Sequence, residues 1–228
     1  MFRGMFIKFS KKEFIEPLQK EGLIYLNSFD FFKQCENKEQ LDLDENLTQL
    51  LQGDRCEISF DGYTSTGNNG LVDVKINASS LASQEFTHLF CLWHIGQNEQ
   101  LKEDCKVFDE KMKDFGDTML VIYNPISFMK KLKLALDKAI DNKEIIYAET
   151  KKVDYVDFSN YHGDIEAFRK KIQYKHQSEW RLALQRENYK EPYKLKIGSI
   201  EDCSVVIPVD ECKNRITFKD DGTHNIEL

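Results

Sequence analysis

Three polar residues in the stretch "HQSEWRLALQ" carry the most chemical potential in this chain: Gln177, Glu179 and Arg181, each two positions from the next. A carboxylate at Glu179 can take either of two roles. It can accept hydrogen bonds from a ligand's hydroxyls and stabilise positive charge developing beside it. It can also neutralise a neighbouring cation as an ordinary ion pair, worth little if it lies at the surface. The residue types leave both roles open. Between Arg169 and Arg186 the chain holds Arg169, Lys170, Lys171, Lys175, Arg181 and Arg186, with Glu179 the single acid. In a chain of formal net charge −7, that basic island reads as a place for a phosphate-bearing ligand or as a solvated helix face.

Side-chain alternation along a strand chooses the face on which Glu179 works. If "EWRLAL" is extended, Trp180, Leu182 and Leu184 form the core side, and Gln177, Glu179, Arg181 and Ala183 share the other. A tryptophan-anchored strand holds a carboxylate with the precision that binding and catalysis need. The same phase serves an ion pair of Glu179 with Arg181 or with a lysine across the sheet.

Other polar candidates have weaker spacing. His94, in "LWHIGQ", ends an apolar strand before a glycine; it reads as a general base or as a hydrogen-bonded structural histidine. Asp164, in "NYHGD" beside His162, reads as a helix cap. The acids from Glu36 to Glu45 lack the glycine and spacing of a calcium loop. Six cysteines are scattered without a C-x-x-C pair, and the histidines do not complete a zinc set, so no metal is expected.

The elements that must position Glu179 are predicted as follows. "MFIKF" is a first strand. Ser10 and Glu13 have capping-box spacing and predict a helix with Phe14, Ile15 and Leu18 inward, ending at Gly22. "LIYLNS" is a second strand. "CEISF" and "LVDVKIN" alternate with period two, with "DGYTSTGNNG" as the loop between them. "FTHLFCLWHI" and "TMLVIYN" are strands covered on both faces. After Pro125 a helix buries Leu132, Ala135, Leu136, Ala139 and Ile140. "IIYAETKKVDYV" is strand, and "GDIEAFRKKIQ" a short helix with Ile165, Phe168 and Ile172 inward. The tail adds "EWRLALQ", "YKLKIG", "CSVVIPV" and "NRITF". Strands with about three helices make one α+β domain over 1–228, its sheet mostly antiparallel and twisted or split.

At 228 residues, 41% apolar and 31% charged, the composition is that of a globular chain with a sizeable core. Its apolar runs are far shorter than the roughly 20 residues that cross a bilayer, and its start lacks a signal-peptide pattern. A cytoplasmic protein without a membrane partner is the expectation. Neither G-x-G-x-x-G after a strand nor a P-loop occurs.

Two stretches carry a family resemblance. The opening "FIKF…EFIEPLQKEGLIYLNSFDFF" and the late "FRKKIQYKHQSEWRL" resemble a broad bacterial and phage protein family. Its members begin "Y-K-Y/F … G-x-I-Y-F-S-S-x-x-x-F" and end "K-x-x-x-W-x-x-E-x-E-W-R". The matching residues are Lys8, Gly22, Tyr25, Ser28, Phe32, Lys171, Glu179, Trp180 and Arg181. That layout is in turn similar to the ADP-ribosyltransferase superfamily, whose site surrounds NAD as co-substrate. The resemblance implies that Glu179 binds the ribose next to nicotinamide and Gln177 orients the acceptor. It implies that Tyr25 stacks on the nicotinamide ring, and that Lys8 or Arg3 meets the phosphates. The resemblance also implies Ser28 and Arg181 in the NAD-binding set. Departures are Lys8, where the best-known members have Arg or His, and "YLNS" in place of Ser-Thr-Ser; Thr64, Ser65 and Thr66 are a rival for that run. The implied activity is NAD-dependent ADP-ribosyl transfer to a protein or nucleic acid, or NAD hydrolysis, in phage–host or toxin conflict. The alternative is a non-catalytic binder of a nucleotide or dinucleotide on the same scaffold, acting as an immunity or anti-defence factor.

Overall fold

The computed structural model describes residues 4–33, 49–50, 55–60, 63–68, 86–96, 108–159, 161, 163–187, 189–212, 216–218 and 224–226. The chain opens with β1 (Gly4–Ser10), α1 (Lys12–Glu21) and β2 (Leu23–Ser28). The expected capping box at Ser10 and Glu13 does not form. Ser10 is committed to a strand ladder opposite Thr118, so Lys11 becomes the N-cap with no side-chain bond. Its carbonyl accepts the N–H groups of Phe14 and Ile15. Ile15 and Leu18 are buried as expected, but Phe14 is 62% exposed. Gly22 ends α1 in the left-handed region at φ 65°. A Cβ there would overlap the carbonyl of Gly198, so the expected stop is enforced by both conformation and packing.

A one-turn helix, α2 (Phe29–Lys33), follows, then β3 (Gln49–Leu50), β4 (Arg55–Phe60) and β5 (Tyr63–Asn68). β4 and β5 pair as an antiparallel hairpin. Thr64, Ser65 and Thr66 therefore lie in a strand rather than a loop. Only Asp61 and Gly62 separate the two strands, the residue pair that favours the tightest hairpins. The predicted strand "LVDVKIN" lies outside the described residues.

β6 (Thr87–Gly96) is the spine of the eight-stranded sheet. Next come β7 (Thr118–Ile122), α3 (Pro125–Asp141), β8 (Tyr147–Lys152), β9 (Asp154–Val156), β10 (Gly163–Asp164) and β11 (Arg169–Lys171). The chain ends with β12 (Glu179–Gln185), β13 (Tyr193–Lys196), β14 (Ser204–Pro208), β15 (Ile216–Phe218) and β16 (His224–Ile226). Every pairing in the large sheet is antiparallel. The fold is α+β, and three α-helices lie among the described residues.

The register makes the sheet split. Along one edge of β6, β12 pairs continuously from Gln185↔Thr87 to Glu179↔Trp93. The opposite edge carries two strands in succession. β2 pairs at Asn27↔Leu89 and Ser28↔His88, and β1 takes over at Ile7↔Trp93 through Gly4↔Gly96. Between them, at Cys91, β1 and β2 diverge into a fork. β7 and β14 extend the β1 arm, and β13 extends the β2 arm.

One face of the sheet buries Phe6, Leu92, Leu120, Ile122, Trp180 and Leu182 against α1 and α3. α3 presents Phe128, Leu132, Leu136 and Ala139 to it, whereas the predicted Ile140 is 40% exposed at the edge of the stripe. The other face buries Ile7, Trp93, Val121 and Ile207 under Met112 and Val209. A third cluster joins Phe29, Leu89, Ala167 and Ala183.

The predicted helix over "GDIEAFRKKIQ" is absent. The stretch forms β10, a 3-10 turn at Glu166–Phe168, β11, and a second 3-10 turn at Ile172–Gln177. Ile165 is buried but Ile172 is 46% exposed. β11 pairs in parallel with β9, and its alternation turns Lys170 inward between the less buried Arg169 and Lys171. The basic island is therefore not a helix face. No helix among the described residues is long and apolar enough to cross a membrane.

Candidate functional site

β12 runs between β6 and β8, so the backbone of Glu179 is pinned from several sides. Its N–H donates to the Tyr155 hydroxyl at 2.8 Å, and its carbonyl accepts from the Val153 N–H at 2.9 Å. Behind it, the Trp180 ring packs on Phe6 with centroids 4.8 Å apart. The strand phase is the predicted one, with Trp180, Leu182 and Leu184 on the helix-covered face. The opposite face is buried as well, and Glu179 and Arg181 are only 6% and 2% exposed.

Both carboxylate oxygens of Glu179 are engaged. Lys170 Nζ donates to Oε1 at 3.0 Å, and Arg181 Nε donates to Oε2 at 2.7 Å. Lys170 also donates to Gln177 Oε1 at 2.9 Å and lies over the Tyr174 ring, 4.7 Å from its centre. Arg181 Nη1 donates to the Ala167 carbonyl at 2.7 Å. Glu179 stands in an ion pair, a buried and doubly hydrogen-bonded one.

Gln177 reaches this cluster by a different route from the expected one. It ends the 3-10 turn, and Ser178 then adopts a left-handed backbone at φ 37°. That kink breaks the alternation before β12 begins. Ser178 is tied back to β6, its Oγ donating to the His94 carbonyl at 2.8 Å and its own carbonyl accepting the His94 N–H at 2.9 Å. Gln177 is left buried, sharing Lys170 with Glu179.

Burial works to raise the Glu179 pKa, but the charges and hydrogen bonds of Arg181 and Lys170 overcome it and hold the carboxyl far below the usual carboxylate range. Burial, then the nearby Glu179 charge, pushes the Tyr155 hydroxyl well up. A carboxyl depressed on folding contributes its full stabilisation above its unfolded pKa, about 4.3, and loses it progressively as pH falls from there toward the depressed folded value. Denaturant titrations taken from pH 6 to pH 3 are expected to show stability falling with acid. The fall should be shallower in Glu179→Gln; equal slopes would remove Glu179 from the acid response.

Lys8 occupies the fork. The His94 N–H points to the β12 side of β6, so the odd residue Cys91 turns its backbone toward the opposite edge, where β1 and β2 part. Lys8 Nζ donates to the Cys91 carbonyl at 2.9 Å and lies 4.9 Å from the Phe90 ring centre. It meets that carbonyl where neither β1 nor β2 is in register with β6. Burial lowers its pKa, with the Cys91 thiol and Glu179 opposing.

Tyr25 and Ser28 are three residues apart on β2 and so fall on opposite faces. Tyr25 is 47% exposed, with Lys194 Nζ 5.6 Å from its ring centre. Ser28 is buried opposite His88. One cleft on one face of the sheet therefore does not receive both side chains directly. The structure gathers Gln177, Glu179 and Arg181 in one cluster, puts Lys8 at the neighbouring fork, and sets Tyr25 and Ser28 apart from each other.

Lys170, Tyr155 and Tyr174 join the cluster although the sequence assigns none of them a site role. The buried cation is Lys170, the lysine the late motif selects when counted back from Arg181, and not the adjacent Lys171 matched above; Lys171 lies 5.5 Å from the Phe158 ring centre. Tyr174 stands at the tryptophan position of the late motif, and Tyr155 lies in the predicted strand "IIYAETKKVDYV". His94 packs beside Phe6, ring centres 5.5 Å apart. Asp164 caps no helix; its carbonyl accepts from Tyr161 and Arg169. Arg3, His162 and the acids from Glu36 to Glu45 lie outside the described residues. Among the described residues no group of three His, Cys, Asp or Glu side chains could hold a metal ion. The chain matches no family model, no curated protein and no solved structure.

Proposed function

We propose that the chain is a nucleotide-binding protein on an ADP-ribosyltransferase-like scaffold, one that holds its ligand without transferring ADP-ribose. The observation that carries this reading is the commitment of Glu179. Both oxygens are bonded to buried cations, so no carboxylate edge faces outward for the ribose hydroxyls. A split sheet with an ammonium at its fork supports a ligand site that uses charge to receive phosphate. The opening and closing motifs support the same scaffold. An immunity or anti-defence factor is the corresponding role.

A second reading, an NAD-consuming transferase or glycohydrolase, is favoured by one observation. Gln177 and Glu179, the pair implied for acceptor and ribose, meet at one lysine, and a carboxylate held ionised is the state such chemistry uses. The two readings separate in one experiment. Calorimetric titration with NAD and ADP-ribose, run beside an assay for free nicotinamide, is expected to show binding and no release. Nicotinamide release that disappears in Glu179→Gln would overturn the binding reading in favour of the enzyme. Binding of neither compound would sink both.

A further inference from the structure

His88, the second residue of β6, is completely buried and sits away from the Glu179 cluster. Its Nδ1 lies 3.0 Å from the Phe86 carbonyl oxygen, and its Nε2 lies 2.8 Å from that of Glu191. Carbonyl oxygens only accept, and a neutral imidazole has one N–H. Both contacts are hydrogen bonds only when the ring is an imidazolium.

The same two carbonyls serve Arg186. Its backbone N–H donates to Phe86 at 3.2 Å, and its Nη1 reaches the Glu191 carbonyl at 3.5 Å. The guanidinium in turn lies 4.6 and 4.8 Å from the ring centres of Tyr189 and Tyr193. The connection from β12 to β13 is thus fastened to the start of β6 through His88 and Arg186 together.

We propose that His88 is a proton-operated clamp on this connection: the imidazolium holds Glu191 against β6, and the neutral ring lets it go. Phe86 is two residues from His88, and its carbonyl is fixed by the Arg186 N–H. Nδ1–H therefore stays with Phe86 after deprotonation. The Nε2 lone pair then faces the Glu191 carbonyl lone pairs at hydrogen-bond distance, and the exposed connection is the side that moves. The neighbours of the ring set the range. β2 contributes Ser28 and β12 contributes Leu184, neither ionisable. The connection contributes Arg186, which opposes protonation, and the Glu191 carboxylate, which favours it. Burial is the largest influence and lowers the pKa, so the clamp closes in the mildly acidic range below the ordinary histidine value.

The test uses the wild-type chain. Imidazole nitrogen NMR from pH 5 to pH 8 should show two protonated nitrogens at the acid end and the Nδ1–H tautomer at the alkaline end. Amide exchange at Tyr189, Lys190 and Glu191, corrected for the intrinsic pH dependence and referred to amides in α3, should quicken about tenfold across that titration. His88→Gln is expected to abolish the pH dependence of that protection. A ring that keeps one tautomer throughout, or protection that ignores pH, would overturn the clamp. The wild-type measurement decides the matter even if the variant does not fold.

Discussion

Glu179→Ala is expected to destabilise the protein by about 3–5 kcal/mol, the range for removing one partner of a buried ion pair. The argument rests on what remains. Lys170 is 5% exposed and Arg181 2%, and neither can swing its charge into water without breaking the strands that hold it. Without Glu179 both buried cations lose the carboxylate they share. Chemical denaturation would measure the loss. Combining Glu179→Leu with Lys170→Met and Arg181→Met should recover much of it, because replacing a whole buried charge set with apolar groups of similar volume is often neutral or better. A loss from Glu179→Ala below about 1 kcal/mol, the scale of an exposed pair, would mean that the cluster is far wetter than its burial indicates. The prediction also bears on function: any activity assay of a Glu179 variant must first establish that the protein is folded. Glu179→Gln is the safer variant, since it keeps the volume and can still accept from Arg181.

How legible this was in the sequence depends on the range of the interaction. The β1–α1–β2 opening follows from local rules: alternation in "MFIKF", an apolar stripe, and Gly22 where only a left-handed residue closes the helix. The pairing of Glu179 with Arg181 is also local, because strand alternation places residues two apart on one face. The second partner is not local. Lys170 is nine residues away in sequence, and it reaches Glu179 only because β11 is extended. Ile165, Phe168 and Ile172 carry the helical spacing that predicts otherwise. The need to deliver a cation to a buried carboxylate fits an extended segment, and the parallel pairing with β9 supplies its backbone partners. Phe14 and Ile140 show a smaller failure. Both lie at the border of a helical stripe, where the spacing is right but no neighbouring element arrives to cover them. The sequence pattern points to a twisted or split sheet but not to the place where it divides. The position of the fork at Cys91 follows from the length of β6, long enough at ten residues for two strands to share one edge. No local pattern announces which strands those are.

Phe6→Ala is expected to cost about 3–5 kcal/mol, as large aromatic truncations in packed cores do. Phe6 has no exposed surface and stands where three elements meet. Its ring lies 4.8 Å from Trp180 and 6.1 Å from Phe128, centre to centre, so it joins β1, β12 and α3 in one contact. Its backbone pairs with His94 on one side and Ile122 on the other, which keeps β1 from sliding into the space vacated. The cavity would open directly behind Glu179. Truncation should therefore do more than lower stability: Trp180 would gain freedom, and the strand it anchors would hold the carboxylate less tightly. Ile15→Val on α1, buried in the same apolar layer but absent from that aromatic contact, provides the control and should cost only about 0.5–1.5 kcal/mol. Denaturation midpoints give the energies, and amide exchange at Glu179 reports the strand. If Phe6→Ala loses its stability while exchange at Glu179 stays as slow as global unfolding allows, the aromatic layer supports the sheet without positioning the cluster. If exchange at Glu179 quickens beyond that limit, the precision of the ion-pair cluster originates in the apolar layer behind it.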